Sequence, residues 1–234
     1  MSDFKLDRKV YVIIPAYNEE ESIAKVIADI PKNIVSEIIV GNNNSKDQTA
    51  LRAKSAGATV VDAPISGYGN ACLAGINYLK NKAMADDIIV FIDGDYSDYP
   101  EEIIKIIAPI LQLEADLVIG SRALGNKEKG SMTIPQEFGN GLATFLIKSF
   151  YGVKFTDLGP FRALTWDHLM KINMQDKTYG WTVEMQIKAA QLKLRCQEVA
   201  VTYRKRIGVS KVSGTIKGVI LAGYKIIWMI FKHL

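Results

Sequence analysis

The sequence predicts an α/β fold: a mostly parallel sheet flanked by helices, with an amphipathic helix at the C-terminal end. Three observations predict it. Short apolar runs at Val10–Ile14, Glu37–Val40, Thr59–Asp62 and Ile88–Ile92 alternate with stretches of helical period, a βαβαβαβ pattern. The run Ile88-Ile89-Val90-Phe91-Ile92 has no polar face, as expected of a strand covered on both sides in a parallel sheet. That run ends abruptly in Asp93-Gly94-Asp95, and the carboxyl ends of such strands are where open α/β sheets hold ligands.

Composition bounds the alternatives. A chain of 234 residues with 48% apolar content suits one domain with an ample core. A net charge of +4 is too small to argue for nucleic acid, and no nucleic-acid partner is expected. An anionic phosphate or a membrane surface is compatible with it. Cys72 and Cys196 are too few for a disulfide framework, which points to a reducing compartment. Met1 to Lys9 is charged and carries no apolar signal segment, and no stretch reaches the roughly 18 apolar residues of a membrane span.

The first strand ends in Pro15-Ala16-Tyr17-Asn18-Glu19-Glu20. Asn18 is placed to cap the following helix, whose stripe is Ile23, Val26, Ile27 and Ile30. The second strand runs into Gly41-Asn42-Asn43-Asn44-Ser45-Lys46-Asp47. Side-chain amides there offer a donor and an acceptor to a nucleobase edge, or serve only the turn. A helix over 47–56 and the third strand follow. Gly67-Tyr68-Gly69 then opens a helix to about Lys80, and Gly69 leaves room for a phosphate or sugar. At the fourth strand, Gly94 lets a ligand approach the backbone, and Asp93 and Asp95 offer hard oxygens suited to Mg²⁺ or Mn²⁺ shared with a diphosphate. The alternative is an acidic turn before the helix that starts near Pro100.

Val12-Ile13-Ile14-Pro15-Ala16-Tyr17-Asn18-Glu19, the Asn-Asn-Asn-Ser-Lys-Asp turn and Asp93-Gly94-Asp95 occur in the order and spacing of family-2 glycosyltransferases. The chain resembles the GT-A enzymes of that family, most of all the dolichyl- and polyprenyl-phosphate sugar synthases. The resemblance implies inverting transfer from a nucleotide-sugar, with Asp95 at the metal and Pro15, Tyr17, Glu19 and Asn42 around base and ribose. Two departures stand out. The family carries Asp-Asp where this chain has Asn42-Asn43, which alters the pattern presented to a base. It tends to carry Gln where this chain has Ser97, which leaves Ser97, Asp98 or water to complete the metal shell.

In the second half, a helix over 101–113 contains Pro109, and a short strand at Leu117–Gly120 leads to Ser121-Arg122. Arg122 suits a donor diphosphate through its planar fork, or else forms an ion pair. The segment 125–135 reads as a loop or lid. Gln136 to Tyr151 is helical, with Phe138, Leu142, Phe145 and Leu146 on one face and Glu137, Thr144 and Lys148 on another. It either packs on the core or, as in the resembled family, lies near the membrane and guides a lipid acceptor. Asp157 precedes Gly159-Pro160; the resemblance implies a general base or a group positioning sugar or acceptor, and the turn by itself allows a cap or an ion pair with Arg162. Thr165 to Ile172 and Thr182 to Leu192 read as helices, with Glu184 at the start of the second, and Arg195 to Tyr203 as an edge or closing strand. Tyr203-Arg204-Lys205-Arg206-Ile207-Gly208-Val209-Ser210-Lys211 reads as a phosphate-gripping loop in which Arg204, Arg206 and Lys211 hold donor or acceptor phosphates.

The C-terminal stretch from Ser213 to Leu234 is amphipathic, with Lys217, Lys225 and Lys232 in a stripe beside Trp228. It is too short and too basic to span, and reads as a helix in the membrane interface or docked on the domain. The expected organisation is a GT-A domain over 1–212 with an appended helix over 213–234. The expected activity is metal-dependent transfer of a hexose from a UDP- or GDP-sugar to a polyprenyl or dolichyl phosphate. Asp95, Asp157 and Arg206 are the catalytic candidates, and the protein is expected in the cytoplasm, peripheral at the inner face of the membrane. Transfer to a saccharide or other hydroxyl, and donor binding without turnover, are the alternatives.

Overall fold

A computed structural model of the chain describes residues 8–208 and 216–234. Among these residues seven strands form one sheet: β1 (Val10–Ala16), β2 (Glu37–Asn42), β3 (Thr59–Asp62), β4 (Ile88–Phe91), β5 (Leu117–Ser121), β6 (Arg162–Thr165) and β7 (Cys196–Ala200). Their order is β3-β2-β1-β4-β6-β5-β7. Every neighbouring pair is parallel except the two made by β6, which runs antiparallel to both β4 and β5.

Apolar runs decide this register. In β1 all seven residues are buried, Tyr11 and Ile13 facing one layer and Val10, Val12 and Ile14 the other. The second layer is closed by α1 (Ile23–Asp29), α2 (Thr49–Ser55) and α4 (Ile103–Leu111). The first is closed by α3 (Tyr68–Leu79), α5 (Ile134–Tyr151), α6 (Trp166–Ile172), α7 (Trp181–Gln191) and α8 (Ile216–Lys232). β1 and β4 lie side by side, and the connections leave them toward opposite ends of the sheet. Their carboxyl ends therefore flank the crevice of a topological switch point.

Several expectations change. Asn18 does not cap α1: it sits at φ 52° and its side chain accepts from Lys46 N–H at 2.8 Å, while Ser22 occupies the cap. The segment before α5 is bonded at its start to Tyr203. Tyr203 N–H donates to the Asn126 carbonyl and Glu128 N–H to the Tyr203 carbonyl, both at 2.8 Å. Thr133 and Gln136 then form a reciprocal capping box that starts α5. In α5 the core-facing residues are Ala143, Thr144 and Ile147, so Thr144 leaves the polar face expected for it, and Phe138 and Phe145 point outward at 72% and 64% exposure. α8 buries Met229 and Ile230 against the same layer, yet exposes Ile220, Tyr224 and Phe231.

Candidate functional site

A cavity of about 400 Å³ opens at the switch point, lined among others by Pro15, Ala16, Tyr17, Glu19, Asn43, Gly67, Tyr68, Asp93, Gly94, Asp95, Thr178, Tyr179 and Arg206. β1 supplies the first residues because its apolar run ends at Ala16 and the chain turns out over the crevice. β4 supplies the two acids in the same way. Tyr68, the first residue of α3, donates its hydroxyl to Asp93 Oδ1 at 2.9 Å. Asp95 Oδ1 accepts from Ser97 N–H at 2.9 Å and from the Ser97 hydroxyl at 2.5 Å. Arg206 bridges Glu19 Oε1 and Asp95 Oδ2, each at 3.1 Å. Its backbone neighbourhood is fixed too: Ile207 N–H donates to the Asp95 carbonyl and Arg204 N–H to the Ser97 carbonyl, both at 2.9 Å.

The site carries more negative charge than its cations balance. Burial first, and then the Asp95 charge, push the Asp93 carboxyl up to about 7. Asp98, 1% exposed, is held well above the usual carboxylate range by burial and by the charges of Asp93 and Asp95, and neither of its oxygens has a hydrogen-bond partner. Crowded hard oxygens with an orphaned buried carboxylate beside them fit a divalent cation of the Mg²⁺ or Mn²⁺ kind. Among the described residues no three His, Cys, Asp or Glu side chains converge as a closed cage. Asp93 and Asp95 would be the residues that hold such a cation.

Not every candidate reaches this cavity. Asn42 is occupied elsewhere, accepting from Ser45 N–H at 3.3 Å and donating to Asp62 at 2.8 Å; the neighbouring Asn43 lines the cavity and accepts from Gly67 N–H at 2.8 Å. Gly69 is needed for helix packing, since a Cβ there would lie 2.0 Å from the Asp176 carbonyl oxygen. Arg204 is stacked on Tyr96 and Tyr99, its guanidinium carbon 3.4 Å and 4.2 Å from the ring centroids, and donates to the Tyr96 carbonyl at 2.6 Å. It braces the loop after Asp95 and does not line the cavity. Lys211 lies outside the described residues.

Arg122 and Asp157 form a second centre. Asp157 is 1% exposed and takes Arg122 N–H and Nε at 2.8 Å on one oxygen and Nη2 at 2.7 Å on the other. Burial works against the Arg122 charge, but the bonds and charge of Asp157 outweigh it and hold the guanidinium above its ordinary value. The partner of Asp157 is therefore Arg122 and not Arg162. Arg162 instead donates to the carbonyls of Leu158, Gly159 and Thr182, and burial lowers it to about 10. Both oxygens of Asp157 are committed to Arg122 and orient its guanidinium. Arg122 lines a second cavity of about 420 Å³, between α5 and α8, whose other walls include Phe138, Leu142, Leu158, Ile226 and Ile227. The arrangement is one cation at an apolar slot.

Tyr68, Thr178 and Tyr179 were not read as site residues from the sequence. Thr178 and Tyr179 belong to the loop 175–180 between α6 and α7, whose composition gives no chemical signal until the fold brings it against the start of α3, where Asn70 N–H meets the Lys177 carbonyl at 3.1 Å.

The sequence model described as "Glycosyl transferase family 2" matches residues 11–175. An uncharacterized glycosyltransferase of Mycobacterium tuberculosis is 33% identical over 216 residues, covering 91% of this chain and 94% of that protein. An undecaprenyl-phosphate mannosyltransferase of Micrococcus luteus is 28% identical over 222 residues, covering 90% of each. A UDP-N-acetylglucosamine–dolichyl-phosphate N-acetylglucosaminyltransferase of Methanococcus voltae is 30% identical over 218 residues, covering 83% of this chain and 85% of that protein. Among solved structures, glucosyl-3-phosphoglycerate synthase from Mycobacterium tuberculosis, in complex with Mn²⁺, UDP and glucosyl-3-phosphoglycerate, superposes with a TM-score of 0.76 over 97% of this chain and 80% of that one, at 21% identity. That likeness concerns the fold.

Proposed function

Because the chain belongs to family 2 of the glycosyltransferases, we propose that it moves a hexose from a UDP- or GDP-linked donor to a polyprenyl phosphate at the inner, cytoplasmic face of a membrane. The observation that carries the acceptor is Arg122, aligned by Asp157 at an apolar cavity between α5 and α8. A guanidinium at an apolar slot matches a phosphate attached to a hydrocarbon chain. The relatives named for undecaprenyl and dolichyl phosphate support the same acceptor class. Exposed Ile134, Phe138 and Phe145 on α5, and Ile220, Tyr224 and Phe231 on α8, fit peripheral docking on lipid. No described helix is long and apolar enough to cross a membrane.

The donor lies in the Asp93–Asp95 cavity, with its base near Pro15, Tyr17 and Asn43. Asp93 and Asp95 would hold a divalent cation, Mg²⁺ or Mn²⁺, which would supply positive charge for the donor diphosphate. Arg206, already on Asp95 and Glu19, adds a fixed positive charge where the diphosphate departs. A phosphate monoester has a second pKa near ~6, so the acceptor is ionised at neutral pH and needs no protein base. Its oxygen attacks the anomeric carbon opposite the leaving diphosphate, and the configuration inverts. This agrees with an Asp157 occupied by Arg122.

The test supplies UDP- and GDP-hexoses with Mn²⁺ to the protein, with polyprenyl phosphate, 3-phosphoglycerate or a free saccharide as acceptor. Labelled glycosyl-lipid that disappears with chelator is the expected product. Consumption of donor only with phosphoglycerate or saccharide would overturn the acceptor, and absence of all donor consumption would leave a donor-binding protein.

A further inference from the structure

We propose that Lys225, on the C-terminal helix, is a positioning residue for the donor site, acting through Asp176 to hold the loop that carries Thr178 and Tyr179. This rests on the reading of the Asp93–Asp95 cavity as the donor site. The loop 175–180 has no regular structure, so its N–H groups need other partners. Glu184 accepts Gln175 N–H at 3.0 Å and Asp176 N–H at 2.7 Å. Asp176 Oδ1 accepts Thr178 N–H at 2.8 Å and Gly180 N–H at 3.0 Å. The turn is thus wrapped around one carboxylate whose side chain is 2% exposed.

A carboxylate buried that deeply is costly unless a cation accompanies it. Among the described residues the cation paired with Asp176 is Lys225, Nζ 2.8 Å from Oδ2. It comes from α8, far along the chain, and does not line the cavity. Met229, one turn on, packs against Gly180 so closely that a Cβ there would lie 2.8 Å from its Cε. Without Lys225, Asp176 is left as a buried carboxylate that has lost its paired cation, and its hold on the amides that place Thr178 and Tyr179 weakens. The amphipathic helix thereby supports the donor site, although among the described residues none of its side chains lines the donor cavity.

Four variants test this: Lys225→Met, Lys225→Arg, Asp176→Asn and the double variant Asp176→Asn/Lys225→Met. Hydrogen exchange reads the Thr178 and Gly180 amides, and titration with UDP and GDP in Mn²⁺ reads the donor site. Lys225→Met should speed exchange at those amides and weaken nucleotide binding about tenfold. Lys225→Arg should restore both, and the double variant should recover most of the loss because no unpaired charge remains. Unchanged exchange in Lys225→Met overturns the proposal. So does a double variant as impaired as Lys225→Met, since the pair would then be packing alone. If exchange responds as expected while the unaltered protein binds neither nucleotide, the positioning role stands and the donor reading falls.

Discussion

Arg206 sits between two acids that would otherwise repel each other, and so does two things at once. It balances Glu19 and Asp95, and in the proposed function it also meets the donor diphosphate. Arg206→Ala should lower kcat/KM by about 2–4 kcal/mol, the usual cost of losing a charged group at a reacting centre. Steady-state kinetics with the preferred donor checks it; unchanged efficiency would make the contact merely structural. Asp93 gives a pH signature. Its carboxyl titrates near about 4 when unfolded and is pushed up to about 7 by burial and Asp95. A raised carboxyl pKa means ionisation costs more in the folded state. Metal-free protein should therefore lose stability as pH rises from about 4 through about 7. Asp93→Asn should flatten that decline, read as the urea midpoint against pH. An identical slope in the variant would show that Asp93 ionises without cost.

At the scale of elements, the first turn of α3 and the loop 175–180 meet backbone to backbone, which only glycine permits. A Cβ on Gly69 would lie 2.0 Å from the Asp176 carbonyl oxygen, an atom that cannot rotate aside. Gly69→Ala should cost about 1–3 kcal/mol by forced backbone movement. Because that loop carries Thr178 and Tyr179, nucleotide affinity should fall as well. Denaturant midpoints and nucleotide titration measure both, and a neutral variant would mean the two elements separate freely. Of the lysines expected in a stripe on α8, Lys225 pairs with Asp176, Lys232 lies 4.9 Å from the Trp228 ring centroid, and the Lys217 side chain lies outside what the structure describes.

For the whole molecule, α8 is both core and surface. Deleting it would remove Met229 and Ile230 from the interior, so truncation tests stability as much as membrane binding. Point changes on the outer faces are cleaner. Phe145→Glu with Tyr224→Glu touches side chains that are 64% and 67% exposed, so stability should shift by about 0.5 kcal/mol or less per site. Binding to anionic vesicles should weaken, and turnover on a long polyprenyl phosphate should fall more than on a short soluble analogue. In the unaltered protein, vesicle binding should fall with salt as the lysines are screened. Equal loss on both acceptors, or no vesicle binding at any salt, would count against the membrane face.

The sequence by itself determined the parallel half of the sheet and the acids at its edge. Runs such as Val10–Ile14 and Ile88–Ile92 can be buried in only one way, and Asp93-Gly94-Asp95 follows directly from where the second run stops. β6 was not legible, because Arg162 breaks its apolar pattern. Only the folded chain supplies the carbonyls of Leu158, Gly159 and Thr182 that make an arginine tolerable there. The sequence pointed to Asn42, yet it is Asn43 that lines the cavity, since successive residues at a strand end point to opposite sides. Arg122 and Asp157 stand 35 residues apart, and Lys225 and Asp176 farther still. Ion pairs at such separations carry no periodic signal, so which cation meets which acid is settled only when the helices close on the sheet.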